Sequence, residues 1–161
     1  VYLIHDPTVI ELAKRAVRDA KSDHQKVERL VRFVSTYIIG DRQNRPRDLR
    51  RLIEVRRGMC TEYALLFTAL ARASGIPARQ VIGLVYSGDD ARAFGGHAWN
   101  EIVLDGKWVP VDASMGRTRL TPAHIRLRAP APDDPYDPDA IEVIFSISRR
   151  LSFRVLELRT R

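Results

Sequence analysis

The chain holds one cysteine, Cys60, and four histidines, His5, His24, His97 and His124. A lone cysteine can form neither an internal disulfide nor a zinc site built on paired cysteines, which leaves a small buried hydrophobe or a nucleophile. The histidines show no metal-ligand spacing either, and neither a metal nor a cofactor is expected. Cys60 follows Gly58-Met59 and opens an apolar run to Ala73 that reads as a helix. The first turn of a helix has unsatisfied N–H groups and partial positive charge. Both favour the thiolate, the reactive form of cysteine. The same N–H groups could also hold an oxyanion once a carbonyl is attacked. A nucleophile of this kind needs a general base, and the base needs an orienting partner.

His97 and Asp112 can supply that pair if the chain between them is a hairpin. H-A-W-N-E-I-V-L precedes Asp105-Gly106, and K-W-V-P-V-D follows it. A two-residue Asp-Gly link favours a type I′ turn. Leu104 then faces Lys107, Trp99 faces Asp112 and His97 faces Ser114. Alternation puts His97, Trp99, Glu101, Trp108, Pro110 and Asp112 on one face. His97 and Asp112 become diagonal neighbours, within reach of each other's side chains. The alternative for the pair is a His and an Asp serving sheet stability alone.

The elements that must carry these residues follow from pattern. Residues 8–20 read as a helix capped by Thr8, with Glu11 completing a capping box. A second helix starts near Ser22 and carries Val27, Leu30, Val31, Val34 and Ile38 on one stripe. Residues 40–57 form an Arg-rich connection with one or two helical turns around Leu49, Leu52 and Ile53. The helix from Cys60 ends at Gly75, with Pro77 after it. Residues 78–86 read as a strand, 87–95 as a loop, and 126–140 as a long loop with four prolines. Residues 141–147 and 151–158 form a possible second hairpin through Arg149-Arg150. Helices followed by an antiparallel sheet indicate an α+β fold.

Composition sets the outer bounds. Of 161 residues, 45% are hydrophobic and 29% charged, which excludes collagen-like, disulfide-scaffold and wholly disordered chains. A chain this long buries roughly 70% of its unfolded surface, enough for one domain over 1–161. No apolar run reaches the ~18 residues of a membrane span, and no signal-peptide pattern opens the sequence. The start at Val1 suits a piece of a longer protein. The net charge is +7, with Arg far outnumbering Lys. It favours anionic partners, but no nucleic-acid motif accompanies it, and nucleic acid is not an expected partner. Seven arginines (42, 45, 47, 50, 51, 56 and 57) crowd the approach to Cys60, either as a solvated face or as a positive wall that tunes the thiolate or selects acidic substrates.

Three blocks carry a resemblance: G-M-C-T-E-Y-A-L-L-F-T-A-L-A-R-A-S-G-I-P-A-R, G-G-H-A-W-N-E-I and G-K-W-V-P-V-D-A-S. In order and spacing they resemble the three motifs of the transglutaminase-like superfamily, over residues 58–116. The resemblance implies a papain-like α+β core, with the Cys at a helix N-terminus packed on an antiparallel sheet. It maps the nucleophile onto Cys60, the base onto His97 and the orienting carboxylate onto Asp112. It implies acyl transfer on peptide or protein amides through a thioester, ending in hydrolysis or transglutamination. Trp99, Gln43 and Asn44 are the expected substrate-binding residues, with the Cys60 N–H and Gln43 or Asn44 as oxyanion donors. Asp112-Ala113-Ser114 departs from the Asp-Pro-Thr of many relatives but keeps the carboxylate. The upstream Trp and the calcium sites of the animal enzymes have no counterpart, and Asp133, Asp134, Asp137 and Asp139 read as a solvated loop. The T-P-A-H-I-R-L segment resembles bacterial members and gives His124 a packing or positioning role. An extracytoplasmic part of a larger bacterial protein is expected over a cytoplasmic one. The competing reading is a catalytically idle module that binds peptides or anions.

Overall fold

The computed structural model describes residues 2–46, 48–86, 88, 93–129, 143 and 146. The expected hairpin of residues 141–158, the proline-rich stretch from 130 and its four aspartates fall outside them, apart from the single positions 143 and 146. Four helices are described: α1 (Pro7–Ala16), α2 (Asp23–Tyr37), α3 (Leu49–Val55) and α4 (Cys60–Ala73). Two-residue strands β1 (Ile39–Gly40) and β2 (Arg57–Gly58) pair in parallel. A second sheet follows, with β3 (Ala78–Tyr86), β4 (Phe94–Leu104), β5 (Lys107–Val111) and β6 (His124–Arg128) in the order β5-β4-β3-β6, all neighbours antiparallel. Helices precede an antiparallel sheet, so the α+β class holds. Among the described residues, no helix is long and apolar enough to cross a membrane.

The core forms around α4, where every residue from Thr61 to Ala71 is buried. Its apolar residues are too evenly spread for a surface helix, so it is packed on all sides. Val9, Ala13 and Ala16 of α1 and Val27, Leu30, Val31 and Val34 of α2 join it in one hydrophobic cluster. On the sheet side the contact includes a polar clamp. Asn100, fully buried in β4, donates from Nδ2 to the carbonyl of Ala64 at 3.0 Å and to Thr68 Oγ1 at 2.8 Å. This clamp sets the height of α4 against the strand that carries His97. At the far end α4 stops as expected: Gly75 is left-handed at φ 82°, which favours glycine.

Local signals mostly act as read, with three differences. Helix α1 is capped by Asp6, whose Oδ1 accepts from Thr8 N–H at 2.9 Å, and Thr8 lies inside the helix. Pro7 explains the shift, since its missing N–H and fixed φ suit the first helical position. The same helix ends at Ala16, four residues short of expectation, where the chain turns through a left-handed Asp19. Residues 126–128 belong to β6, not to a loop. Gly83 accounts for that strand's close pairing: a Cβ there would meet the backbone of Ile125 and lie 2.6 Å from Trp99 Cη2.

The hairpin turns at Asp105-Gly106, both with positive φ (50° and 73°), as a type I′ turn requires. Its register runs from Leu104↔Lys107 to Asn100↔Val111, and there it stops. The expected pairs Trp99–Asp112 and His97–Ser114 do not form. Asp112 instead bridges Arg117 through two backbone hydrogen bonds of 2.7 Å. Its carboxylate folds the intervening turn onto itself, accepting from Ser114 Oγ at 2.7 Å and Met115 N–H at 3.1 Å. Beyond Asn100, β4 continues beside β3 to Phe94, so Phe94 and Gly95 are strand, not loop.

Candidate active site

The approach to Cys60 is built from β1 and β2. Ile39 pairs with Arg57 and Gly40 with Gly58, and Asp41 N–H donates to the Gly58 carbonyl at 2.8 Å. Tyr63 ties the same strand to α4 through its hydroxyl, which donates to the Ile38 carbonyl at 2.7 Å. Glu62, 2% exposed, reaches back from the first turn and accepts from Met59 N–H at 2.6 Å and Thr61 Oγ1 at 2.7 Å. Half of a capping box is thus made without a hydroxyl residue at the N-cap. Gly58 is the space that allows it, since a Cβ there would stand 2.5 Å from Glu62 Cβ and 2.6 Å from its Cγ. Cys60 is therefore fixed as the first residue of α4, half-buried, its backbone N–H without an acceptor one turn back.

His97, Asp112 and Cys60 come together although the ladder ends short of them. His97 Nε2 stands 2.7 Å from Asp112 Oδ2, and His97 and Cys60 line the same cleft. A carboxylate only accepts, so Nε2 carries a proton and Nδ1 is the ring nitrogen left for another partner. Burial pushes the His97 ring toward its neutral form. The hydrogen bond and charge of Asp112, with those of Cys60, outweigh it and raise the pKa from 6.5 to about 9. Burial likewise raises Asp112, but His97, Ser114 and the Met115 N–H outweigh it and keep the carboxyl below its ordinary value.

A second imidazole reaches the same carboxylate. His124 Nε2 lies 3.4 Å from Asp112 Oδ2, its side chain 3% exposed. Trp99 fills the angle between the two rings, stacked on His97 at 6.1 Å and edge-on to His124 at 5.4 Å. Burial and the neighbouring His97 charge lower the His124 pKa, against the pull of Asp112. The proton therefore resides on His97, and His124 acts as a neutral N–H donor. Its Nδ1 has no partner among the described residues. Ligand atoms of His97, Asp112 and His124 lie within 4.8 Å of one another, a spacing a metal ion could use. Such an ion would have to displace the proton shared by His97 and Asp112, whose 2.7 Å contact is that of a strong charge-assisted hydrogen bond.

A cleft of about 640 Å³ opens over these groups, lined by Cys60 and His97 together with Arg42, Arg45, Met59, Tyr63, Met115 and others. Of the expected substrate contacts, none lines it. Asn44 Nδ2 donates to Asp41 Oδ2 at 2.7 Å, and the backbone N–H groups of Gln43 and Asn44 both turn onto Asp41 Oδ1. The Asp41 carboxylate thus organises this loop and takes up the Asn44 amide, while Trp99 is buried behind His97. Sequence reasoning missed Met115 and did not single out Arg42 and Arg45 from the arginines it placed near Cys60. The arginine-rich run was the only signal for two of them, and most of it is engaged elsewhere: Arg50 with Asp6, Arg51 with Glu54, Arg57 with Asp41, and Arg56 over the Tyr37 ring.

Known proteins share the fold and the family of this chain. The family model for the transglutaminase-like superfamily matches residues 10–113. Among solved structures, a candidate cysteine protease from Cytophaga hutchinsonii is 22% identical, with a TM-score of 0.65 over 76% of this chain and 42% of that one. The periplasmic domain of TgpA from Pseudomonas aeruginosa is 24% identical, with a TM-score of 0.54 over 68% of this chain and 43% of the other. The chain thus spans less than half of either structure, and what they share with it is the fold. No curated protein sequence matches the chain. With the family model covering most of its length and the three motif blocks in order, the chain belongs to the transglutaminase-like superfamily.

Proposed function

We propose that the chain is a cysteine-dependent acyl-transfer enzyme acting on peptide or protein amides, with Cys60 as nucleophile, His97 as acid and base, and Asp112 as the group that orients His97. Membership of the superfamily supports cysteine acyl transfer in general. The observation that supports the finer reading is the buried His97–Asp112 hydrogen bond of 2.7 Å, with His97 and Cys60 lining one cleft.

The chemistry follows from who holds the proton. Cys60 gives its thiol proton to His97 and attacks the amide carbonyl carbon as the thiolate. The new S–C bond puts negative charge on the carbonyl oxygen, which the Cys60 N–H at the start of α4 can receive. His97 gives its proton to the departing nitrogen as the C–N bond breaks, leaving a thioester and a free amine. Water or a second amine then attacks the thioester and yields its proton to His97. The C–S bond breaks, the thiolate returns, and a carboxylic acid or a new amide departs. Asp112 accepts from Nε2 throughout and holds Nδ1 toward the sulfur.

An idle binding module would have no use for a buried His–Asp pair aimed at a thiol, and burying such a pair costs stability unless it is fully hydrogen-bonded. The test is turnover of a peptide pool with and without a fluorescent primary amine, compared with Cys60→Ala. Peptide cleavage or deamidation indicates water as acceptor, and amine incorporation indicates transglutamination. Activity retained by Cys60→Ala would refute the proposal.

A further inference from the structure

Among the described residues, two arginines line the cleft and no carboxylate does. Arg42 is exposed and has no ion pair among the described residues. Arg45 is anchored beside the nucleophile, its Nη2 3.4 Å from Thr61 Oγ1 and its Nε 3.8 Å from the buried Glu62. Asp41, the nearest acid in sequence, is committed to Arg57 and to the turn it organises. Met59, Tyr63 and Met115 add apolar wall to the cleft, and Met115 is 41% exposed. The start of α4 adds its own partial positive charge. Arg45 faces Glu62, so the uncompensated arginine among the described cleft residues is Arg42.

We infer that the cleft binds acyl donors carrying a carboxylate beside the attacked amide, with Arg42 as the residue that reads it and Arg45 fixed next to Cys60 as a second cation. This specificity rests on the acyl-transfer reading for its meaning, but not for its measurement. An acidic peptide segment meets two guanidinium groups and an apolar wall, whereas a basic one meets like charge at short range. Arg42 has room to close on a carboxylate through its paired N–H donors. The preference weakens as salt is added, since Arg42 is exposed.

The experiment compares alkylation of Cys60 by iodoacetate, which carries a carboxylate, and by iodoacetamide, which is neutral. Both form the same S–C bond and release iodide, and the ratio of their rates cancels the amount of thiolate. In Arg42→Glu the ratio falls about tenfold, a difference of about 1.4 kcal/mol. In Arg18→Glu, the same charge change at an exposed site outside the cleft, it stays within about twofold. A matched set of peptides with Glu, Gln or Lys next to the reacting amide shows the same order in kcat/KM, with the Glu preference lost in Arg42→Glu. An unchanged alkylation ratio in Arg42→Glu, or an equal fall in Arg18→Glu, overturns the inference. If the ratio falls as expected while no peptide is turned over, the anion site stands and the acyl-transfer reading fails.

Discussion

Replacing Asp112 by Asn tests how the proton is held. The carboxylate accepts from His97 at 2.7 Å, Ser114 at 2.7 Å, the Met115 N–H at 3.1 Å and His124 at 3.4 Å. An amide has one accepting oxygen, so at least one of these donors loses its acceptor. Raising the His97 pKa from 6.5 to about 9 corresponds to roughly 3 kcal/mol of preference for the imidazolium. Burial works against that preference, so Asp112 and Cys60 supply more than the net shift. In Asp112→Asn the ring should titrate at or below its ordinary 6.5, and at pH 7.5 it becomes mostly neutral. The assay is the rate of iodoacetamide alkylation from pH 5 to 10, with the His97 ring followed by NMR in the same samples. In the parent protein, the His97 ring titrates near 9. In Asp112→Asn the ring transition moves down, and alkylation at pH 7.5, where the variant ring is mostly neutral, falls about tenfold. Circular dichroism must show the fold retained. A His97 transition still near 9 in the variant would refute the assignment of the proton to this hydrogen bond.

Four further outcomes follow from the same geometry. Stability gained from His97 is complete below pH 6.5 and is lost as pH rises through about 9, because the folded-state pKa is the raised one. Thermal scans should therefore show Tm falling by several degrees across that window, and the fall should be absent in His97→Gln. His124→Phe keeps the volume beside Trp99 but removes the second donor to Asp112, and His124→Gln restores an N–H. Peptide turnover should fall about tenfold in the first and recover in the second, with the basic limb of the pH profile moved only in the first. Asn100→Leu breaks the two bonds that hold α4 to β4, costing about 1–3 kcal/mol in urea unfolding. It should also slow His97-dependent alkylation of Cys60, since the two side chains sit on the elements so joined. Gly58→Ala drives a methyl group into Glu62, so it should lower stability by about 1–3 kcal/mol and reduce alkylation by displacing the first turn of α4.

The parts legible in sequence were those set by short-range rules. Asp105-Gly106 fixed the hairpin register, Ser22 capped α2, and Gly75 ended α4. Gly58-Met59-Cys60 marked the helix start, and three blocks in order named the family. Neighbours distant in sequence were not legible. Nothing local shows that the Asp112 carboxylate would fold its own turn and leave the ladder, or that Gly83 would admit β6 beside β3. The same holds for the arginines. Their number was plain, but the partners of Arg50, Arg56 and Arg57 lie on other elements, so only the structure separates Arg42 and Arg45 from Arg50, Arg51, Arg56 and Arg57. Gln43 and Asn44 failed as cleft residues for a comparable reason: the loop's path depends on Asp41, whose role as an acceptor of several N–H groups appears only once the chain is turned.

The central claim is that Cys60 carries the acyl group. Intact-mass spectrometry of the acid-quenched protein, after mixing with a peptide pool rich in acidic residues, tests it most directly. The account predicts an acyl adduct on Cys60 that hydroxylamine removes, absent in Cys60→Ala and strongly reduced in His97→Ala. Peptide turnover that persists in Cys60→Ala, or an adduct located on any other residue, would contradict it.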